Sequence, residues 1–290
     1  MLNFKLILST AFTTVRKKWN YYQRKKSQVV DTQYRSINYC DGVLNLKINS
    51  HAGELCFFRR SYEAHIQTLM KSCIPQGTNV LDIGANVGIH TIFMAQCVQG
   101  GGMVYAFEPV KHIRNDLYLN VKLAGRFSNS ITIFPYAVGA SNTKESMFVV
   151  KENEFDQGSS SIVENEYLST EQMRSKTQRY DVDVVTIDDF IKLHSITNIS
   201  FIKIDIEGCE YEALKGAQDL LKTEKPTLII EYNIDRIRHI GLDHQHLRSV
   251  LNGYSCFEIV RDTSFNRDLY SLEPFLFDRD VKCDLLCLPF

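Results

Sequence analysis

From about residue 75 the chain alternates short apolar runs with stretches whose apolar positions recur every three or four residues. "NVLDIG" (79–84) is an apolar run broken by one acid, and "GIHTIFMAQCV" (88–98) has helical spacing. "GGMVYAFEP" (101–109) is a second run, stopped by a proline, and "VKHIRNDLYLNVKLAG" (110–125) is helical again, ending on a glycine as a helix C-terminus does. "ITIFPYAVG" (131–139), "VDVVTIDDFI" (182–191), "ISFIKIDIEG" (199–208) and "KPTLIIEYN" (225–233) predict further strands, with a helix over "CEYEALKGAQDLL" (209–221). The end of the chain gives a helix near 243–252, a strand at "YSCFEIV" (254–260), and "KCDLLCLPF" (282–290), expected as an antiparallel edge strand. Strands separated by helices predict an α/β fold with a mostly parallel sheet covered on both faces.

Two regions break this rhythm. Residues 141–181 hold "SNTKESMFVVKE" (141–152), patterned as a hairpin, and then a polar connection that is long for the inside of a compact domain. Residues 1–50 form a basic, aromatic extension beside a main domain of 51–290. In residues 1–26 a weakly apolar start is followed by Arg16, Lys17, Lys18, Arg24, Lys25 and Lys26 around Trp19, Tyr21 and Tyr22. Charge before the apolar part would signal secretion, and a membrane span needs about 20 apolar residues. Neither pattern is present, which leaves peripheral contact with an anionic membrane surface or a solvated leader helix.

Composition narrows the partners. A formal net charge of −1, with 44% hydrophobic and 23% charged residues, carries no electrostatic footprint for nucleic acid, so none is expected as a partner. The eight cysteines (40, 56, 73, 97, 209, 256, 283 and 287) are scattered without a CxxC pair. They predict reduced, mostly buried thiols and a cytoplasmic setting.

The candidate chemistry starts at Gly84-Ala85-Asn86-Val87-Gly88. In an open α/β sheet, ligands bind beyond the carboxyl ends of the strands where the strand order reverses, so the first strand-to-helix turn is the place for a cofactor. A dinucleotide site has G-x-G-x-x-G there. This chain has G-x-x-x-G with Asp82 two positions before it. An acid at that point repels a pyrophosphate and suits an ammonium or sulfonium group. Glu108 ends the second strand 24 residues beyond Gly84, where an acid binds ribose hydroxyls. One acid for a ribose and one for a cation describe S-adenosylmethionine.

The successive blocks "VLDIGANVGIHT", "VYAFEP", "YAVG", "VVTIDDFI", "FIKIDIEGCEYEALKGA", "LIIEYN" and "DLLCLP" resemble the FkbM family of S-adenosylmethionine-dependent methyltransferases, over about residues 54–290. The resemblance implies the class I methyltransferase fold: a Rossmann-like, seven-stranded, mostly parallel sheet whose last strand is antiparallel. It implies O-methylation of a sugar hydroxyl, a glycan or a related natural product. It also implies that Asp82, Gly84, Asn86 and Gly88 line the methionine part of the cofactor, Glu108 the ribose, and Ala137 and Val138 the adenine.

A second acidic group comprises Asp205, Glu207 and Glu210, joined by Glu231 at the end of the strand expected alongside. Asp205 and Glu207 share a face because alternate strand residues do. Like charges this close persist when one is protonated or a cation joins them. Asp205, Glu207 and Glu231 are therefore the candidate catalytic residues. Asp205 or Glu207 would accept the proton of the acceptor hydroxyl, or Asp205 and Glu231 would hold Mg²⁺ to acidify it. No dedicated metal site is assigned. The alternative for Asp205 is a helix N-cap, with Glu207 and Glu210 at the positive end of that helix.

His239, His244 and His246 lack a metal-ligand spacing and are expected as exposed helix-entry residues. His90 either faces the acceptor or packs at a helix start, and "QGSSS" (157–161) either covers the acceptor or is a surface loop. Two competing functions remain: a nicotinamide-dependent oxidoreductase, against which Asp82 argues, and a non-catalytic methyltransferase-like binding module.

Overall fold

The computed structural model describes residues 34–47, 50–59, 62–150, 177–261 and 269–290. The basic, aromatic segment of residues 1–26 and the "QGSSS" loop lie outside them. In chain order the strands are β1 (Tyr34–Tyr39), β2 (Gly42–Lys47), β3 (Asn79–Ile83), β4 (Val104–Phe107), β5 (Ile131–Phe134), β6 (Ala137–Val138) and β7 (Thr143–Val150). They continue as β8 (Thr177–Val185), β9 (Ile199–Ile204), β10 (Thr227–Asn233), β11 (Tyr254–Arg261), β12 (Tyr270–Pro274) and β13 (Lys282–Pro289).

Among the described residues the main sheet has eight strands in the order β12-β11-β13-β10-β9-β3-β4-β5. Strands β5, β4, β3, β9 and β10 run parallel. Their apolar runs fit because both faces are covered. Leu81, Ile83, Ile202 and Ile204 pack on one side, and Val80, Phe201 and Ile229 on the other. Full burial of each such side chain stabilises the fold by about 1.5–3 kcal/mol relative to exposure.

The last strand is antiparallel, as expected, but it is not at the edge. β13 inserts between β10 and β11, and Leu285, Leu286 and Cys287 are buried in succession, so both of its faces are covered. The edge falls to β12, whose residues are mostly exposed; it adds an eighth strand to the seven expected. Residues 141–150 also differ from the expected hairpin. They contain one continuous strand, β7, which pairs antiparallel with β8 from Thr143↔Val184 to Val150↔Thr177. Between Thr143 and Val150 the sequence offers no Gly, Pro, Asn or Asp to turn the chain, so the strand runs on.

The β1–β2 hairpin is part of the same packing. Leu44 and Leu46 are buried with Ile89, Ile92 and Ala124. The Asn45 backbone N–H donates to Asn120 Oδ1 at 2.7 Å, and the Tyr39 hydroxyl donates to the Ile89 carbonyl at 3.1 Å. The core therefore runs across the boundary drawn near residue 50, and the hairpin forms one wall above the glycine turn. Among the described residues no helix is long and apolar enough to cross a membrane.

Candidate functional site

The strand order reverses at β3: the chain passes outward through β4 and β5, then returns to lay β9 and β10 on the other side. The loops leaving β3 and β9 consequently diverge and leave a crevice. Gly84 decides how closely they approach. Its φ is 87°, and a Cβ there would stand 2.0 Å from the Asp205 carbonyl oxygen. Only glycine lets the β9 loop lie against the turn, with the Asp205 N–H donating to the Ile83 carbonyl at 3.0 Å. Gly88 (φ 92°) starts the helix Ile89–Cys97 against Leu117.

Glu108 fixes the turn from the neighbouring strand. Its carboxylate accepts from the backbone N–H of Asn86 at 3.1 Å and of Val110 at 2.8 Å, and Asn86 is held at a φ of 51°. Burial pushes the Glu108 carboxyl up to about 7, against the pull of those two N–H groups and of Arg114.

Asp82 is 1% exposed. Its Oδ2 accepts from the Thr91 hydroxyl at 2.6 Å, while Oδ1 has no hydrogen-bond partner among the described residues. Burial raises its pKa, opposed chiefly by Lys203, the residue opposite it in register on β9. A buried acceptor oxygen without a partner, on a residue that lines a cleft, is suited to a donor from a ligand.

Two adjoining cavities meet at Gly84, Asn86, Asp205 and Glu207. The first, about 610 Å³, is walled by Phe107, Val110, Tyr136, Ala137, Val138 and Met147, with Glu108 also in its lining. An apolar slot that includes a carboxylate fits a nucleoside. The second, about 1020 Å³, is the more polar of the two and includes Asn45, Lys47, Tyr62, Asp82, His90 and Lys203. Thus the cofactor-binding residues expected from the sequence gather at the first cavity and its junction, except for Asp82 in the second and Gly88 at the helix start behind the turn.

Asp205, Glu207 and Glu231 converge, with one carboxylate oxygen of each within 4.8 Å of the others. Each already has a basic partner. Lys203 Nζ donates to Asp205 Oδ2 at 2.7 Å, Arg236 pairs with Glu207, and Lys282 Nζ lies 2.8 Å from Glu231 Oε1. Three cations answer three carboxylates, which weakens the pull of the cluster on a divalent ion, while Glu231 Oε2 has no hydrogen-bond partner among the described residues. Burial raises the Glu231 pKa, and Asp205 adds to the rise. Opposite Glu231 in register, burial and then Glu63 push Asp284 up to about 7.

Asp205 caps no helix. The helix begins at Glu210 behind Cys209, because the residues between form a loop that Glu210 itself holds. Its buried carboxylate accepts from the N–H groups of Ile206 and Gly208 and is pushed by burial to about 8, with Glu231 adding to the rise. Glu210 is a structural acid. His246 completes a capping box with Asp243, and His239 and His246 are exposed.

Lys203, Glu63, Tyr62 and Asp284 were not singled out by the sequence. Lys203 carried a signal: a lysine within "FIKID" has no solvent face to occupy if both sheet faces are covered. Glu63 and Tyr62 lie in a connection with no local pattern.

Residues 82–256 match the family described as the methyltransferase FkbM domain, and residues 14–134 match protein-L-isoaspartate(D-aspartate) O-methyltransferase. Methyltransferase 1 of Beauveria bassiana (strain ARSEF 2860) is 24% identical over 160 residues, 50% of this chain and 60% of that protein. Among solved structures, methyltransferase FkbM from Methylobacillus flagellatus KT is 20% identical with a TM-score of 0.45, covering 72% of this chain and 43% of its own. The O-methyltransferase from Bacillus cereus in complex with SAH is 12% identical with a TM-score of 0.44, covering 79% and 83%. The chain thus spans less than two thirds of the Beauveria protein and of the Methylobacillus structure.

Proposed function

The chain belongs to the FkbM methyltransferase family, and from that premise we propose that it transfers the methyl group of S-adenosylmethionine to a hydroxyl of a sugar, glycan or related natural product. The observation that carries this reading is the pair of buried acids, Asp82 and Glu108, at the ends of adjacent strands on either side of one glycine turn. Glu108 at the apolar slot suits ribose hydroxyls, and Asp82 suits the cationic end of the donor. The cofactor brings the activated methyl, so the protein's work is to align oxygen, carbon and sulfur and to exclude water. The more polar second cavity suits a hydroxylated acceptor. Asp205 borders both cavities, where it accepts a hydrogen bond from the acceptor hydroxyl and orients it.

Calorimetry with S-adenosylhomocysteine tests the cofactor; a protein that binds none removes the proposal. Asp205→Ala is expected to retain that affinity and to transfer methyl about tenfold more slowly, the loss of one orienting hydrogen bond worth about 1.4 kcal/mol. Unchanged turnover would reduce Asp205 to the partner of Lys203. Because each acid of the cluster already has a cation, a chelator is expected to leave turnover unchanged, and a chelator-sensitive enzyme would restore Mg²⁺.

A further inference from the structure

The acids at the junction are all engaged by cations, which leaves open where the acceptor's proton goes. His90 lies in the first turn of the helix Ile89–Cys97, is 7% exposed, and borders the second cavity. Its Nε2 lies 2.8 Å from Glu63 Oε2, and the Tyr62 ring packs at 5.5 Å between centroids. Nδ1 is buried and has no hydrogen-bond partner among the described residues. Glu63 is the N-cap residue of the helix Ala64–Cys73 and holds a left-handed φ of 44°. That rigid position aims a carboxylate at the imidazole.

Resting on the methyl-transfer reading, we propose that His90 is the general base of the reaction and that Glu63 is its positioning residue. With Nε2–H donating to Glu63, the nitrogen left for a ligand is Nδ1, an acceptor in the neutral ring. The acceptor oxygen attacks the methyl carbon, the carbon–sulfur bond breaks with its electron pair going to sulfur, and the hydroxyl proton passes to Nδ1. The products are the methyl ether, the neutral thioether and an imidazolium stabilised by Glu63. This is the arrangement of a carboxylate–histidine pair, in which the acid fixes the tautomer and steadies the charged ring. Burial opposes the charge on Glu63, but its hydrogen bond to His90 and the positive charges of His90 and Lys203 lower its carboxyl to about 2, so the acid is ionised beside the imidazolium that forms.

The groups facing His90 are Glu63 and Tyr62, His65 from the same helix as Glu63, Asp82 from β3 and Lys203 from β9. The test compares the wild type with His90→Gln, Glu63→Gln and Asp205→Asn. Labelled methyl transfer is followed from S-adenosylmethionine to a hydroxyl pool extracted from the source cells, across the pH range. His90→Gln should bind S-adenosylhomocysteine as the wild type does, transfer label about 100-fold more slowly, and lose the acidic limb of the pH profile. Glu63→Gln should shift that limb, and Asp205→Asn should keep it. Independently of any acceptor, isotope-labelled histidine NMR of the S-adenosylhomocysteine complex should show His90 protonated on Nε2 and bare on Nδ1. Wild-type turnover in His90→Gln, or a proton on Nδ1, overturns the proposal. Failure of the wild type to bind S-adenosylhomocysteine fails the methyl-transfer reading, and this inference with it.

Discussion

Glu108→Ala is expected to weaken S-adenosylhomocysteine binding by about 100-fold. In the proposed complex the carboxylate accepts from two ribose hydroxyls, each worth about 1.5 kcal/mol as a charge-assisted bond, and about 1.4 kcal/mol is a factor of ten. The effect should depend on pH in a defined direction. Burial lifts this carboxyl from its ordinary 4.5 to about 7 in the free protein. Hydroxyl donors favour the ionised form, so binding expels the proton, and affinity should rise as pH increases through about 7 and then level off. For folding the sign is opposite. The folded protein holds a proton that the unfolded chain releases, so this group's contribution to stability falls between pH 4.5 and about 7. Calorimetry on either side of that window, with thermal melts of both proteins, reads both trends. Glu108→Ala should flatten both, and wild-type affinity in the variant would place the ribose elsewhere. Nicotinamide dinucleotide makes a useful control, since Glu108 would serve its ribose equally well. Rejection of that ligand has to come from Asp82.

The reason Asp82, Gly84 and Glu108 were legible in the sequence is that each lies within a few residues of a strand end, and the chemistry of a strand-to-helix turn is local. The convergence of Asp205, Glu207 and Glu231 was legible for a related reason: in a parallel sheet adjacent strands end at the same edge, so acids closing two neighbouring runs must meet. Their partners were not. Arg236 and Lys282 reach the cluster from a helix and from the start of β13, and nothing in the sequence says that β13 returns beside β10. That same missing adjacency made "KCDLLCLPF" look like an edge. The eight cysteines are free thiols, but only Cys56, Cys209, Cys256 and Cys287 are buried, and the other four are half-buried. Glu63 is the clearest case of illegibility. Its meaning depends on a left-handed backbone and on a histidine 27 positions along the chain, and neither leaves a periodic trace.

Lys203→Met should be the most damaging of the stability changes. Lys203 is 5% exposed and stands opposite Asp82 in the β3–β9 register, and its ammonium lies 2.7 Å from Asp205 Oδ2. Burial works hardest against its charge, yet Asp205, Asp82 and Glu63 together outweigh it and hold the pKa above the ordinary lysine value. Methionine conserves the volume, so the loss is electrostatic: Asp82 is left as a buried carboxylate supported by the Thr91 hydroxyl and, less strongly, by His90. Removing one member of a buried pair costs about 3–5 kcal/mol. The lower end, about 3 kcal/mol, applies here because the Asp205 side chain is 36% exposed and water can take over its share. For a chain of this size that lowers the melting temperature by about 6–12 °C. The deficit should itself depend on pH. Without Lys203 the Asp82 pKa rises further above its ordinary 3.8, and a carboxyl raised in the fold loses stability as pH climbs from that value. The variant should therefore approach the wild type in acid and fall away from it towards neutrality. Adding Asp82→Asn removes the stranded charge and should restore more than half of the loss, a coupling expected only between interacting residues. If the two substitutions simply add, Lys203 stabilises through its stem and Asp205, and the buried acid of the glycine turn is held ionised by something other than its neighbour on β9.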